Sequence, residues 1–150
     1  MESSFENTLI TLYQPDQDLR ARGVSAEALS RYINTIETAA RLALNHDWSR
    51  QGVSGALVLG VKPAAKSHLW IVLDDERRKR EFMILLKADI EAIAPPSVKG
   101  PIAFALQFDA WGGGRRPGMI AAPSEWADAS RRAGRALAVP DEIFDSLWPD

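Results

Sequence analysis

The chain has 150 residues, 46% hydrophobic and 25% charged, values that suit one globular domain with a real core and exclude wholesale disorder. It has no cysteine, which excludes disulfides, thiolate chemistry and cysteine-ligated metal sites. Its formal net charge is −2, so no global basic field draws it to nucleic acid.

Met1-Glu2-Ser3-Ser4 lacks a basic cluster and no unbroken apolar run follows it. Neither a secretion signal nor a membrane span is expected, and the expected location is the cytoplasm. Residues 4–13 read as a short helix: Ser3 and Glu6 have capping-box spacing, Phe5, Leu9, Ile10 and Tyr13 can share a face, and Pro15 ends the run. The clearest helix follows. Leu29, Tyr32, Ile33, Ile36, Ala40, Ala43 and Leu44 recur at three- and four-residue steps. Ser25 is placed to cap it, Val24 and Leu29 to staple its entry, and the period is lost after Asn45.

Residues 53–61 and 67–73 then read as two strands joined by the turn Lys62-Pro63-Ala64-Ala65-Lys66, a β-hairpin. Asp74 or Asp75 can cap a second long helix with the stripe Phe82, Met83, Leu86, Ile90 and Ile93, stopped by Pro95 and Pro96. A third strand over 101–108 alternates Ile102, Phe104, Leu106 and Phe108 with Ala103, Ala105 and Gln107. Beyond the glycine-rich loop 111–118, residues 119–121 suggest a short strand. Ser124 can cap a helix over 125–137, and 141–148 reads as a last short helix. The fold class is therefore α+β: a small, mainly antiparallel sheet, hairpin plus third strand, with helices before, between and after the strands.

The strand faces are lopsided. One side carries Leu57, Leu59, Val61, Leu69, Ile71, Leu73 and the large residues of 101–108. The other carries Ala56, Val58, Gly60, Ala103 and Ala105, with His68 and Trp70. A solvated face is usually charged or threonine-rich. The small face therefore predicts a close cover: a packed helix, for which the Ala39-Ala40-Ala43 surface is suited, or else a partner chain or a ligand lying over Trp70 and His68. A small sheet of this kind also has edges that can pair with another chain by β-augmentation.

Candidates for chemistry are few. His46 stands at a helix end and His68 on a strand, without metal-ligand spacing. Ser54 in Gly52-Val53-Ser54-Gly55 lacks the nucleophile-elbow pattern. Arg77-Arg78-Lys79-Arg80 follows Asp74-Asp75-Glu76, which neutralises much of it, and successive helix positions point in different directions. Nucleic-acid binding is thus not favoured. The loop is the best ligand candidate. Gly112, Gly113 and Gly114 free the backbone, Arg115 and Arg116 suit a carboxylate or phosphate, and Trp111 can stack or anchor. Arg131, Arg132 and Arg135 add to the positive charge of the region, against Glu125 and Asp128. Trp111 and Trp148 are the tryptophans expected at least partly on the surface.

The function expected is a non-enzymatic protein-interaction domain: an adaptor, a regulatory or immunity-like binder, or a self-associating module. The alternative is a small-molecule binder or enzyme that uses loop 111–118 for an anionic ligand, with His68 moving a proton and Trp70 beside it. No cofactor, metal or membrane partner is expected.

Overall fold

A computed structural model describes residues 4–46, 52–113, 123–134 and 141–148. Among these, β1 (Glu6–Leu12), β2 (Val53–Lys62), β3 (Lys66–Leu73) and β4 (Ile102–Ala110) form one antiparallel sheet in the spatial order β1-β4-β2-β3. Helices α1 (Asp16–Ala21) and α2 (Ala26–Leu44) stand between β1 and the β2–β3 hairpin, α3 (Lys79–Glu91) between β3 and β4, and α4 (Ser124–Ala133) and α5 (Asp141–Leu147) after β4. The architecture is the α+β arrangement that the sequence pattern predicts, with one strand more. No helix among the described residues is long and apolar enough to cross a membrane.

The best-patterned helix forms as its periodicity dictates. The Ser25 hydroxyl accepts from the Ala28 N–H at 3.0 Å, and α2 buries the seven residues of its stripe. Val24 and Leu29 are both buried at its entry. The hairpin also forms, and Pro63 sits in the turn. Asp75 caps a 3-10 turn over Glu76–Arg78 by accepting from the Arg77 N–H at 3.1 Å, and α3 proper begins only at Lys79. α4 ends earlier than the expected 137, because Gly134 turns left-handed (φ 72°) and closes it, as glycine does at helix ends. Leu137 and the suggested strand 119–121 lie outside the described residues.

Two expectations fail. Residues 4–13 are not a helix: Glu6–Leu12 is strand β1, laid antiparallel on β4 with a bulge between Asn7 and Leu9. Thr8, Ile10 and Thr11 are β-branched and stiff in a helix, and β4 offers a ladder in register from Leu9 to Leu12, with Thr8 at the bulge. Phe5, fully buried, fixes the start of the strand by stacking on Phe108 at 5.1 Å. The second failure concerns the cover of the small face. α2 packs with α3 on the large face, where Ala40, Ala43 and Leu44 join Leu57, Leu59, Phe104 and Leu106 in one core. The small face is covered instead by α4 and α5. Trp126, Ile143 and Phe144 bury Ala56, Val58, Ala103 and Ala105 together with Trp70. The sheet is small-residued on this side because aromatic rings press on it.

Candidate functional site

The residues singled out for a ligand site do not come together. Trp70 is buried, stacked on Phe144 at 5.5 Å and edge-on to Trp126 at 5.5 Å. His68 lies half-buried between Trp70 (4.4 Å) and Trp148 (5.5 Å), so these two residues do meet, within the small-face cluster. Trp111, only 8% exposed, packs instead in the large-face core, contrary to the expectation of surface exposure. Trp148 is half-buried. Trp111 follows Ala110, which pairs with Val53 at the start of β2, whereas His68 pairs with Gly60. Seven strand steps of about 3.3 Å separate the two places, on opposite faces of the sheet. Trp111, Gly112 and Gly113 all take positive φ (51°, 88° and 88°), so the loop begins in the left-handed conformation that its glycines permit. Gly114, Arg115 and Arg116 lie outside the described residues.

Ser54 is committed to structure. Its hydroxyl donates to Asp109 Oδ1 at 2.6 Å, and its N–H donates to Asp74 Oδ1 at 3.2 Å while its carbonyl accepts from the Asp74 N–H at 2.8 Å. His46 is exposed just past α2. The basic run after Asp75 is largely paired. Arg77 meets Asp75 at 3.1 Å, Arg78 lies over the Phe82 ring and near Glu81, and Lys79 reaches Glu125 at 3.1 Å. Among the described residues, no three His, Asp or Glu side chains gather as a metal site would require.

What stands out is the difference between the two sheet edges. An edge strand exposes unpaired N–H and C=O groups, and stable proteins close such edges. The β3 edge is capped at Leu69 by α3. Glu91 Oε2 accepts from the Leu69 N–H at 2.8 Å, and Lys87 Nζ donates to the Leu69 carbonyl at 3.3 Å and to Glu91 at 2.5 Å. The Ser67 hydroxyl adds a bond to the Glu91 carbonyl at 3.4 Å. His68 Nδ1 stands 3.8 Å from the same Glu91 oxygen, and burial, aided by the Lys87 charge, lowers the pKa of its imidazole.

Among the described residues, the β1 edge is open. The Tyr13 N–H donates to the Ala103 carbonyl, so antiparallel alternation turns Thr11 toward β4 as well and aims the N–H and C=O of Ile10 and Leu12 outward. No partner among the described residues reaches those groups. The side chains are exposed too: Leu9 47%, Ile10 46% and Leu12 42%. Ile10 and Leu12 share the face of Leu106 and Phe104 and form the outer wall of a groove of about 260 Å³, whose floor includes Leu19, Val24, Leu29 and Ile33. The groove runs on past Ile10 and Glu37 toward Asn7 and Arg41. Asn7 Nδ2 donates to Glu37 at 2.6 Å and ties the strand to α2 at that end. Sequence reasoning assigned this segment to a helix and so missed the site. The signal that was present is the β-branched, uncharged run Thr8-Leu9-Ile10-Thr11-Leu12.

Compared with known protein families, with curated proteins and with solved structures, the chain matches none.

Proposed function

We propose that this chain is a non-enzymatic protein-interaction domain that takes up an extended polypeptide segment along the free edge of β1. The observation that carries the reading is the open, apolar edge at Ile10 and Leu12 beside an apolar groove, on a sheet whose other edge is capped by side chains at Leu69. Strand addition draws affinity from main-chain bonds and specificity from alternate side chains, and β1 offers both: outward N–H and C=O groups, and a wall that can receive apolar residues. Adaptor, regulatory and immunity-like binders all fit this mode. We place the domain in the cytoplasm on its cysteine-free composition. The loop 111–118 gives less support to the alternative of an anionic ligand, since Trp111 is packed away from His68 and Trp70.

The test is hydrogen exchange on the full chain, free and associated. The Ile10 and Leu12 amides should exchange rapidly in the free chain and become protected on association. Association that leaves both amides at their free rates overturns the reading.

A further inference from the structure

Resting on that reading of the β1 edge, we infer that its occupant is β1 of a second copy of this chain, paired antiparallel across a two-fold axis at Thr11. The strand is complementary to itself in this register. Setting Thr11 opposite Thr11 places Ile10 opposite the partner's Leu12, Leu12 opposite the partner's Ile10, and Leu9 opposite the partner's Tyr13. Each of the three exposed apolar side chains then meets an apolar neighbour, the pairing that stabilises sheets. The outward N–H and C=O groups belong to Ile10 and Leu12, so the same register brings Ile10 and the partner's Leu12 together as hydrogen-bonded pairs and leaves Thr11 in a close, non-hydrogen-bonded pair. Neighbouring registers lose this match. An axis at Ile10 sets Leu12 against Thr8 and Leu9 against Thr11; an axis at Leu12 sets Ile10 against Gln14 and Leu9 against Pro15.

Charge agrees with the match. The segment from Asn7 to Gln14 carries no ionisable group except the Tyr13 phenol, whose pKa burial raises, so no like charges face each other across the axis. The groove beside Ile10 and Leu12 lies on the same face in both copies and supplies apolar surface beyond the strands themselves. A two-fold β1–β1 contact uses up the β1 edge of both copies, and the Lys87–Glu91 clamp on Leu69 stands in the way of strand addition at β3, so the assembly is one continuous sheet in an isologous dimer instead of a fibre.

The experiment uses the full chain. Sedimentation or native mass spectrometry across a concentration series should give twice the chain mass, and Ile10→Lys with Leu12→Lys should weaken the dimer at least roughly thirtyfold. Both positions are exposed, and circular dichroism confirms that the variant is folded. The register is read separately. The chain has no cysteine, so a single thiol can pair only with its copy. Thr11→Cys should give a covalent dimer on mild oxidation, since facing Cβ atoms in such a pair lie about 4.5–5.5 Å apart. Leu9→Cys should not, because its two copies stand four strand steps, roughly 13 Å, apart. A mass of one chain throughout overturns the inference, as does cross-linking by Leu9→Cys but not Thr11→Cys. A monomer that takes up a foreign extended peptide with protection of Ile10 and Leu12 overturns the second copy and keeps the interaction edge. A dimer indifferent to both lysines overturns the second copy at β1, while the hydrogen exchange of Ile10 and Leu12 decides the interaction edge.

Discussion

A methyl group added at Gly60 would lie 2.4 Å from Phe144 Cζ, inside the distance two carbons tolerate. The ring it meets is also the one that stacks on Trp70. Relief by side-chain rotation is therefore blocked, and α5 must move. Overpacking of this kind costs about 1–3 kcal/mol. Gly60→Ala should lower the midpoint of chemical denaturation accordingly, and Phe144→Leu in the same chain should recover part of the loss, because the two sites share one contact. A second prediction concerns His68. Burial between Trp70 and Trp148, with Lys87 nearby, lowers its folded pKa, while the unfolded chain holds the ordinary value near 6.5. Below that pH the unfolded chain binds the proton more readily. Stability is therefore full above about pH 6.5 and falls as the pH drops through the lower, folded value. Thermal melts of the native chain should show this decline, and His68→Gln should remove the part of it that belongs to His68. Parallel pH profiles of the two proteins would refute the assignment.

At the scale of elements, the β2–β3 turn carries a cost that the sequence does not advertise. Ala64 and Ala65 both sit in the left-handed region, with φ of 70° and 58°. That conformation costs an ordinary L-residue about 1–2 kcal/mol, whereas glycine there loses only about 0.4–1 kcal/mol through its freer unfolded chain. The first term is the larger, so Ala64→Gly should stabilise the protein by about 0.5–1 kcal/mol in equilibrium unfolding. Lys62-Pro63-Ala64-Ala65-Lys66 is legible as a turn from its proline and its flanking strands, but its handedness is not, since alanine gives no hint of positive φ. α2 was legible throughout, because nineteen residues of consistent period admit one answer. β1 was not. Over ten residues the spacing of Phe5, Leu9, Ile10 and Tyr13 fits a helical face as well as a strand, and the deciding factor, a free edge on β4, is a tertiary fact. The same holds for the small face. Alanine and glycine on β2 and β4 announce a close neighbour, and the Ala39-Ala40-Ala43 surface of α2 suits that role by size, but the cover is the aromatic rings of α4 and α5. Small strand residues accommodate large rings as readily as they accommodate another small surface.

At the scale of the molecule, the two sheet edges differ, and on the proposed reading that difference decides how the protein meets other chains. Glu91 caps the β3 edge at Leu69 through one oxygen that takes the Leu69 N–H and the Lys87 ammonium together. Glu91→Ala removes that oxygen. The Leu69 N–H then lacks its acceptor, at a cost of about 1–3 kcal/mol, and Lys87 loses the carboxylate that positions it over the Leu69 carbonyl. Leu69, Ile71 and Leu73 stay buried in the core; what the substitution frees is the main-chain N–H and C=O of Leu69. A sheet open on both sides can add a strand at each end, and nothing in its symmetry then stops growth. Glu91→Ala should therefore melt below the native chain and scatter light as species larger than two copies, increasingly so with concentration. Glu91→Gln keeps an oxygen for Leu69 and should behave more nearly as the native chain does. If Glu91→Ala remains a small species of unchanged mass, the packing of α3 against β3 is enough to protect that edge, and the Lys87–Glu91 clamp contributes to stability alone.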